Sequence, residues 1–282
     1  MDRAGKQRLF DTMEAELINR FKELNLKADE FALCRLGQHS FLLKVNDKLI
    51  AFDPYLSDIP QRLIKPLAKA EDLSDFDLIF GSHDHSDHID RPQLARMGEG
   101  RAKFIFPAAV AASITEIPQD KIIAMKGDDE IEFDGMKIYA VPSAHEFLEK
   151  DADGAYFNLG FVLEIGDFSL YHSGDCCIYE GLLSRLKKLA PAVMLLPING
   201  RDAARLKRNC IGNMTYQEAV ELAGFSLTKL AVPAHYDMFE GNLENPQLFI
   251  DYANAKFPEL KTGILAPGEI IVLSEKKITV AE

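Results

Sequence analysis

Residues 81–88 read Gly-Ser-His-Asp-His-Ser-Asp-His. His83, His85 and His88 are three of the seven histidines in the chain, with Asp84 and Asp87 between them. Imidazoles and carboxylates at this density pack poorly against apolar side chains and suit a divalent cation. The stretch follows Phe76-Asp77-Leu78-Ile79-Phe80, an apolar run that reads as a buried strand. Three further donors stand in the same relation to an apolar strand. His145 follows Lys137–Val141, Asp175 follows Phe168–Tyr171, and His235 follows Leu230–Val232. Strand exits are where α/β proteins carry their ligands.

His83, His85, Asp87, His88, His145, Asp175 and His235 offer only nitrogen and oxygen. Such a set suits Zn, Mn or Fe(II) rather than Cu(I). Seven donors exceed the needs of one tetrahedral ion and suit two divalent cations with a shared carboxylate and open positions. His83 and His85 can reach one ion, Asp87 and His88 the other. Two cations about 3.5–4 Å apart can hold a bridging water and lower its pKa, so that a hydroxide becomes the nucleophile. One cation would polarise the scissile carbonyl or phosphoryl oxygen. Asp87 is the candidate catalytic residue, orienting the hydroxide or moving its proton. The chain contains no G-x-S-x-G, so a serine nucleophile has no support.

These donors need strands that end at a common edge. From residue 30 the pattern predicts short strands at 31–36, 40–45, 48–52, 76–80, 103–106, 121–125, 130–133, 136–141, 156–165, 168–171, 192–196, 230–232, 270–273 and 278–280. Helices are predicted from Asp90 to Met97, over 107–117 and 179–189, after the capping box Thr215/Glu218, and over 245–255. Leu9, Phe10, Met13, Leu17, Phe21 and Leu24 predict an amphipathic helix over 8–25, packed on its own domain or on a dimer partner. The whole chain, 1–282, reads as one α/β domain with sheets inside and helices outside.

The net charge of -12 argues against a general nucleic-acid binder, and no apolar run approaches the ~20 residues of a membrane span. Cys34, Cys176, Cys177 and Cys210 match neither a zinc motif nor a disulfide framework. Reduced thiols and the lack of a leader at the N-terminus are expected of a cytoplasmic protein. A homo-oligomer stays open.

Other residues could serve the site. His39, on the Gly37-Gln38-His39-Ser40 loop, could touch substrate at the site mouth. His172 lies within the strand before Asp175 and reads as a support rather than a ligand. Arg201, Arg205, Lys207 and Arg208 form the densest basic patch. It is either a solvated helix face or an anion clamp, with Arg201 and Arg208 suited to bidentate contact and Asn213 assisting.

His-x-His-x-Asp-His at 83–88, with His145, the Asp175 of Ser-Gly-Asp and His235, resembles the metallo-β-lactamase superfamily. Leu36-Gly37, residues 82–90, Tyr171–Asp175 and Pro233–Asp237 are similar to its L-ascorbate-6-phosphate lactonase branch. The resemblance implies a four-layer αββα sandwich with a dinuclear site at one sheet edge. It implies His83, His85 and His145 on the first cation, Asp87, His88 and His235 on the second, and Asp175 bridging. It also implies that Asp53, at a strand end, orients the ligand loop; a plain turn before Pro54 is the alternative. The function expected is hydrolysis of a small anionic substrate, a phosphorylated sugar lactone. A metallo-phosphodiesterase or nuclease is the alternative, and a metal sensor without activity the third reading.

Overall fold

The computed structural model describes residues 16–274. The strand expected at 278–280 and the first part of the expected N-terminal helix lie outside the described residues. Within them, residues 16–22 are helical and form α1.

The first sheet contains β1 (Glu30–Gly37), β2 (Ser40–Val45), β3 (Lys48–Phe52), β4 (Leu78–Phe80), β5 (Lys103–Pro107) and β6 (Ile122–Met125). The second contains β7 (Glu130–Phe133), β8 (Met136–Pro142), β9 (Leu159–Ile165), β10 (Phe168–His172), β11 (Val193–Pro197), β12 (Leu230–Ala234) and β13 (Lys261–Thr262). β14 (Ile270–Ser274) returns to the first sheet and pairs with β1. Each sheet is thus seven strands wide, in the orders β14-β1-β2-β3-β4-β5-β6 and β13-β12-β11-β10-β9-β8-β7. Both change from antiparallel to parallel pairing midway, at β3 and at β10.

The sheets pack face to face, and side-chain alternation decides what each strand gives to which layer. On β2, Phe41, Leu43 and Val45 enter the layer between the sheets, while Leu42 faces the other way. On β11, Val193 and Leu195 face inward while Met194 and Leu196 face outward. Both faces of these strands are covered, which is why they read as continuous apolar runs. Outside the first sheet lie α1, α2 (Arg91–Met97) and α3 (Ala108–Ala111), through Phe21, Leu94, Met97 and Val110. Outside the second lie α4 (Leu182–Leu189), α6 (Tyr216–Phe225) and α7 (Pro246–Lys256), with the short α5 (Ala203–Lys207) between α4 and α6 in the chain. This is a four-layer αββα sandwich. No helix among the described residues is long and apolar enough to cross a membrane.

Some expected elements are shorter. The helix expected over 107–117 is only α3, because the Ser113 hydroxyl and N–H both turn back to the Val110 carbonyl. Asp90 stands at the N-cap of α2, but its carboxylate accepts from the Leu56 and Ser57 N–H groups instead of capping the helix. The capping box at Thr215 and Glu218 forms as expected.

Candidate metal centre

β1, β3 and β4 end at the same edge of the first sheet; β8, β10, β11 and β12 end at one edge of the second. The two edges meet: the Leu159 N–H donates to the Ser82 carbonyl (3.0 Å) and the His235 N–H to the Gln38 carbonyl (2.9 Å). Gly174, just before Asp175, makes that approach close. Its φ is +57°, and a Cβ there would lie 2.6 Å from Ser82 Cβ, so the Asp175 turn and the histidine loop touch only because the side chain is missing.

Asp53, at the exit of β3, is fully buried and fixes the histidine loop. Its Oδ1 accepts from the Ser82 N–H (2.8 Å) and its Oδ2 from the Ser82 hydroxyl (2.6 Å). Oδ2 also lies 2.6 Å from His88 Nδ1. A proton held on Nδ1 by that carboxylate leaves Nε2 with its lone pair facing the cluster. On the second sheet, the Ser143 hydroxyl bonds the Asp175 carbonyl (2.8 Å), tying the His145 loop to the Asp175 turn.

Asp175 stands between two groups of nitrogens. Its Oδ1 is 3.3 Å from His88 Nε2 and 3.2 Å from His235 Nε2. Its Oδ2 is 3.5 Å from His145 Nε2 and 4.0 Å from His83 Nε2. His85 Nδ1 is 2.9 Å from His83 Nε2, and Asp87 Oδ2 is 3.6 Å from His235 Nε2 and 3.7 Å from His88 Nε2. Donor atoms of His83, His85, His145 and Asp175 lie within 4.8 Å of one another, as do those of Asp87, His88 and His235. The structure therefore brings together all seven residues singled out as donors, in two half-sites on either side of one carboxylate. His85 is exposed and Asp87 half-buried; His83, His88, Asp175 and His235 are buried, and so is the side chain of His145, at 6% exposure.

The residues fit a pair of cations. His88 Nε2 and Asp175 Oδ1 are buried and have no hydrogen-bond partner. Buried polar atoms are rarely left so. The electrostatics agree. Burial alone would push His88 and His235 down, but the Asp175 and Asp87 carboxylates overcome it, holding His88 well above its ordinary value and His235 up at about 9. Burial works against ionising Asp175 too, yet His235 and His88 hold it well below the usual carboxylate range. This half-site calls for positive charge. Burial dominates at His83 and His145, which are pushed down and keep neutral rings ready to ligate.

Of the other residues singled out, His39 falls elsewhere than expected. His39 does not reach the mouth: it is fully buried, its ring 4.1 Å from that of His172, with Nδ1 4.0 Å from Asp175 Oδ1. His172 stacks on Phe52 (5.1 Å) and its Nε2 is 2.8 Å from the His39 carbonyl, so the two histidines form a floor under the centre. Burial pushes both rings down. Two members of the expected clamp, Arg201 and Asn213, are held by other partners. Arg201 makes a bidentate pair with Glu218 (2.6 and 2.7 Å) and a bond to the Asn213 carbonyl. Asn213 is fully buried and donates to Asn199 Oδ1 (3.1 Å). Arg208 is exposed and donates to the Gly241 carbonyl. All four thiols are free; burial raises those of Cys34 and Cys176 to about 12.

Two features were missed from the sequence. Gln38 points its Nε2 at Asp87 Oδ2 (2.7 Å) and His235 Nε2 (3.0 Å). Fully buried Arg35 forks onto Asp237 (2.6 and 2.7 Å), joining β1 to the His235 loop. The available signal was an arginine inside the apolar run 31–36, which demands a buried partner.

A family model described as a beta-lactamase superfamily domain matches residues 49–236, from β3 to just past His235. A UPF0173 metal-dependent hydrolase from Methanosarcina mazei is 28% identical over 242 residues, 84% of this chain and 96% of that protein. Among solved structures, the metallo hydrolase Igni18 from Ignicoccus hospitalis has a TM-score of 0.69 at 24% identity, covering 87% of this chain and 99% of its own. An isothiocyanate hydrolase from Delia radicum gut bacteria has a TM-score of 0.66 at 21% identity, covering 86% and 99%. At those identities the structures speak for the fold. The family match spans well over half of the sequence, and the chain belongs to the beta-lactamase superfamily.

Proposed function

We propose that the protein is a metal-dependent hydrolase that works with two divalent cations, Zn, Mn or Fe. The observation that carries this reading is the division of Asp175, one oxygen toward His88 and His235, the other toward His145 and His83. His83, His85 and His145 would hold one cation and Asp87, His88 and His235 the other, with Asp175 common to both. When bound, the cations supply Lewis acidity and lower the pKa of a water held between them. The chain's own residues do the rest. Asp53 keeps the His88 lone pair turned inward, and buried His39 and His172 keep water from below. Asp87 and His85 are the donors open to solvent, so substrate meets the centre over them, and Asp87 is the carboxylate best placed to hold or pass a proton.

For the substrate we keep a small anionic molecule, a phosphorylated sugar lactone, as the first proposal. Arg208 supports it: among the described residues its partner is a carbonyl and not a carboxylate, so its charge remains available to an anion. A second reading has its own support. Phe147 (70% exposed), next but one to His145, and Ile178, Ile211 and Leu243 are exposed apolar side chains on loops leaving the ligand-bearing edge. They would suit an uncharged ester or lactone with an apolar substituent. A phosphodiesterase could use the same centre.

Metal-loaded protein should be assayed on a phosphorylated lactone, a matched alkyl lactone and bis-p-nitrophenyl phosphate. Chelator-sensitive hydrolysis with the phosphorylated lactone preferred supports the first reading, and preference for the alkyl lactone the second. Turnover of the phosphodiester alone would replace both. Protein purified without chelator that holds no transition metal, and gains no activity with Mn or Zn, would overturn the hydrolase reading.

A further inference from the structure

Gln38 has no part in the scheme above, yet it is tightly held beside the centre. It lies in the turn between β1 and β2, 1% exposed, with φ at 51°. A residue other than glycine pays conformational strain in that region and stays only where its surroundings hold it. Here three bonds do so. Its N–H donates to Asp237 Oδ1 (3.1 Å), and its carbonyl accepts from Arg35 Nη2 (3.1 Å) and from the His235 N–H (2.9 Å). The Arg35–Asp237 fork therefore fixes the turn, and the turn aims the carboxamide.

The carboxamide nitrogen lies 2.7 Å from Asp87 Oδ2 and 3.0 Å from His235 Nε2. An ionised carboxylate only accepts, so the nitrogen end is the end that faces Asp87. Among the described residues, Gln38 is the side chain that donates a hydrogen bond to Asp87. The other two donors of this half-site are held in other ways: His88 by Asp53, and His235 through its backbone N–H. Asp87 sits on a loop and is half-buried, and this bond is the side-chain hydrogen bond that orients its carboxylate.

We propose that Gln38 is a positioning residue for the second cation, its amide holding the Asp87 carboxylate where Asp87, His88 and His235 can bind together. The inference rests on the two-cation reading. Two effects oppose each other. When its ring is neutral, His235 Nε2 has one lone pair, so a cation must take it from Gln38, and losing an ordinary hydrogen bond weakens binding by a factor of about five. Asp87 Oδ2 can bind a cation and still accept the amide, and bonds to charged groups are roughly twice as strong as neutral ones. Losing a partner that orients a metal ligand typically lowers affinity about 10–100-fold. Orientation outweighs competition.

Chelator-stripped protein titrated with Mn2+ by calorimetry tests this. Wild type should take two equivalents. Gln38→Met, which keeps the length and loses the donor, should leave one equivalent unchanged and weaken the other about 10–100-fold. Electron paramagnetic resonance at two equivalents should show a spin-coupled pair in wild type and isolated Mn2+ in the variant. Gln38→Asn, which tolerates the left-handed turn but withdraws the amide by one carbon, should weaken the same equivalent and keeps the test open if Gln38→Met does not fold. Unchanged affinities, a tighter second equivalent, or equal weakening of both would overturn the inference alone. Wild-type protein that saturates at one equivalent would overturn the two-cation reading, and this inference with it.

Discussion

Each sheet joins an antiparallel part to a parallel part and ends several strands at the shared edge, yet the two supply ligands in different ways. The first sheet delivers His83, His85, Asp87 and His88 from one loop after β4. The second delivers His145, Asp175 and His235 from three loops after β8, β10 and β12. A single loop can be aimed by a single buried group, here Asp53. Three loops must be tied to each other and to the opposite sheet, as Ser143, Gly174 and the Arg35–Asp237 fork do. Damage to the first sheet's loop should therefore be local, and damage to the second sheet's ties should spread.

The largest expected effect is at the residue shared by both half-sites. Asp175→Ala should cost both cations and lower turnover by at least about 100–1,000-fold, the scale of losing one preorganised charged group. Metal content of the purified variant, read beside its kinetics, checks this; retention of both cations would break the comparison. Asp53→Ala should weaken the cation held with His88 the more, about 10–100-fold, because Asp53 bonds His88 directly, and the other cation less, through the Ser82 contact to His83. Equal loss of both would show that Asp53 acts on the loop as a whole and not through His88. Gly174→Ala should cost about 1–3 kcal/mol of stability, since a Cβ must displace Ser82 and adopt a positive φ, and thermal unfolding measures it.

A pH effect separates the half-sites without mutation. In metal-stripped protein, His88 and His235 titrate above their unfolded value, His235 at about 9. A raised folded pKa contributes stability that is full below about 6.5 and is lost as the pH rises through about 9. The stripped protein should melt at progressively lower temperature over that window, and the cation-loaded protein should not. A flat profile would mean that this half-site does not call for positive charge. The smallest effect is expected at Arg201. Its pair with Glu218 is partly exposed, so Arg201→Ala should cost less than about 1 kcal/mol and leave KM for an anionic substrate unchanged. A tenfold rise in KM would restore Arg201 to the clamp.

The contrast between the sheets also explains what could be read in the sequence. The 83–88 cluster is visible because its donors are adjacent, and its partners because each follows an apolar strand. His39 misled because a histidine in a hairpin turn looks solvent-facing, whereas the meeting of the two sheets covers that turn. Gln38, its neighbour, carries no sign of its role: a glutamine in a turn is ordinary until a distant fork aims it. Arg201 looked free because Glu218 reads as half of a capping box, and that carboxylate serves both Thr215 and Arg201.

β14 has a consequence for how the chain is made. β1 through β6 emerge in order and can pair as they appear, but the outer edge of β1 waits for residues 270–274. Everything through residue 274 must leave the ribosome before that edge is closed. Until then a strand of mostly apolar residues offers unpaired N–H and carbonyl groups to any neighbouring chain. Nascent chains stalled or cleaved before β14 would be the aggregating species, even with every ligand of the centre already synthesised.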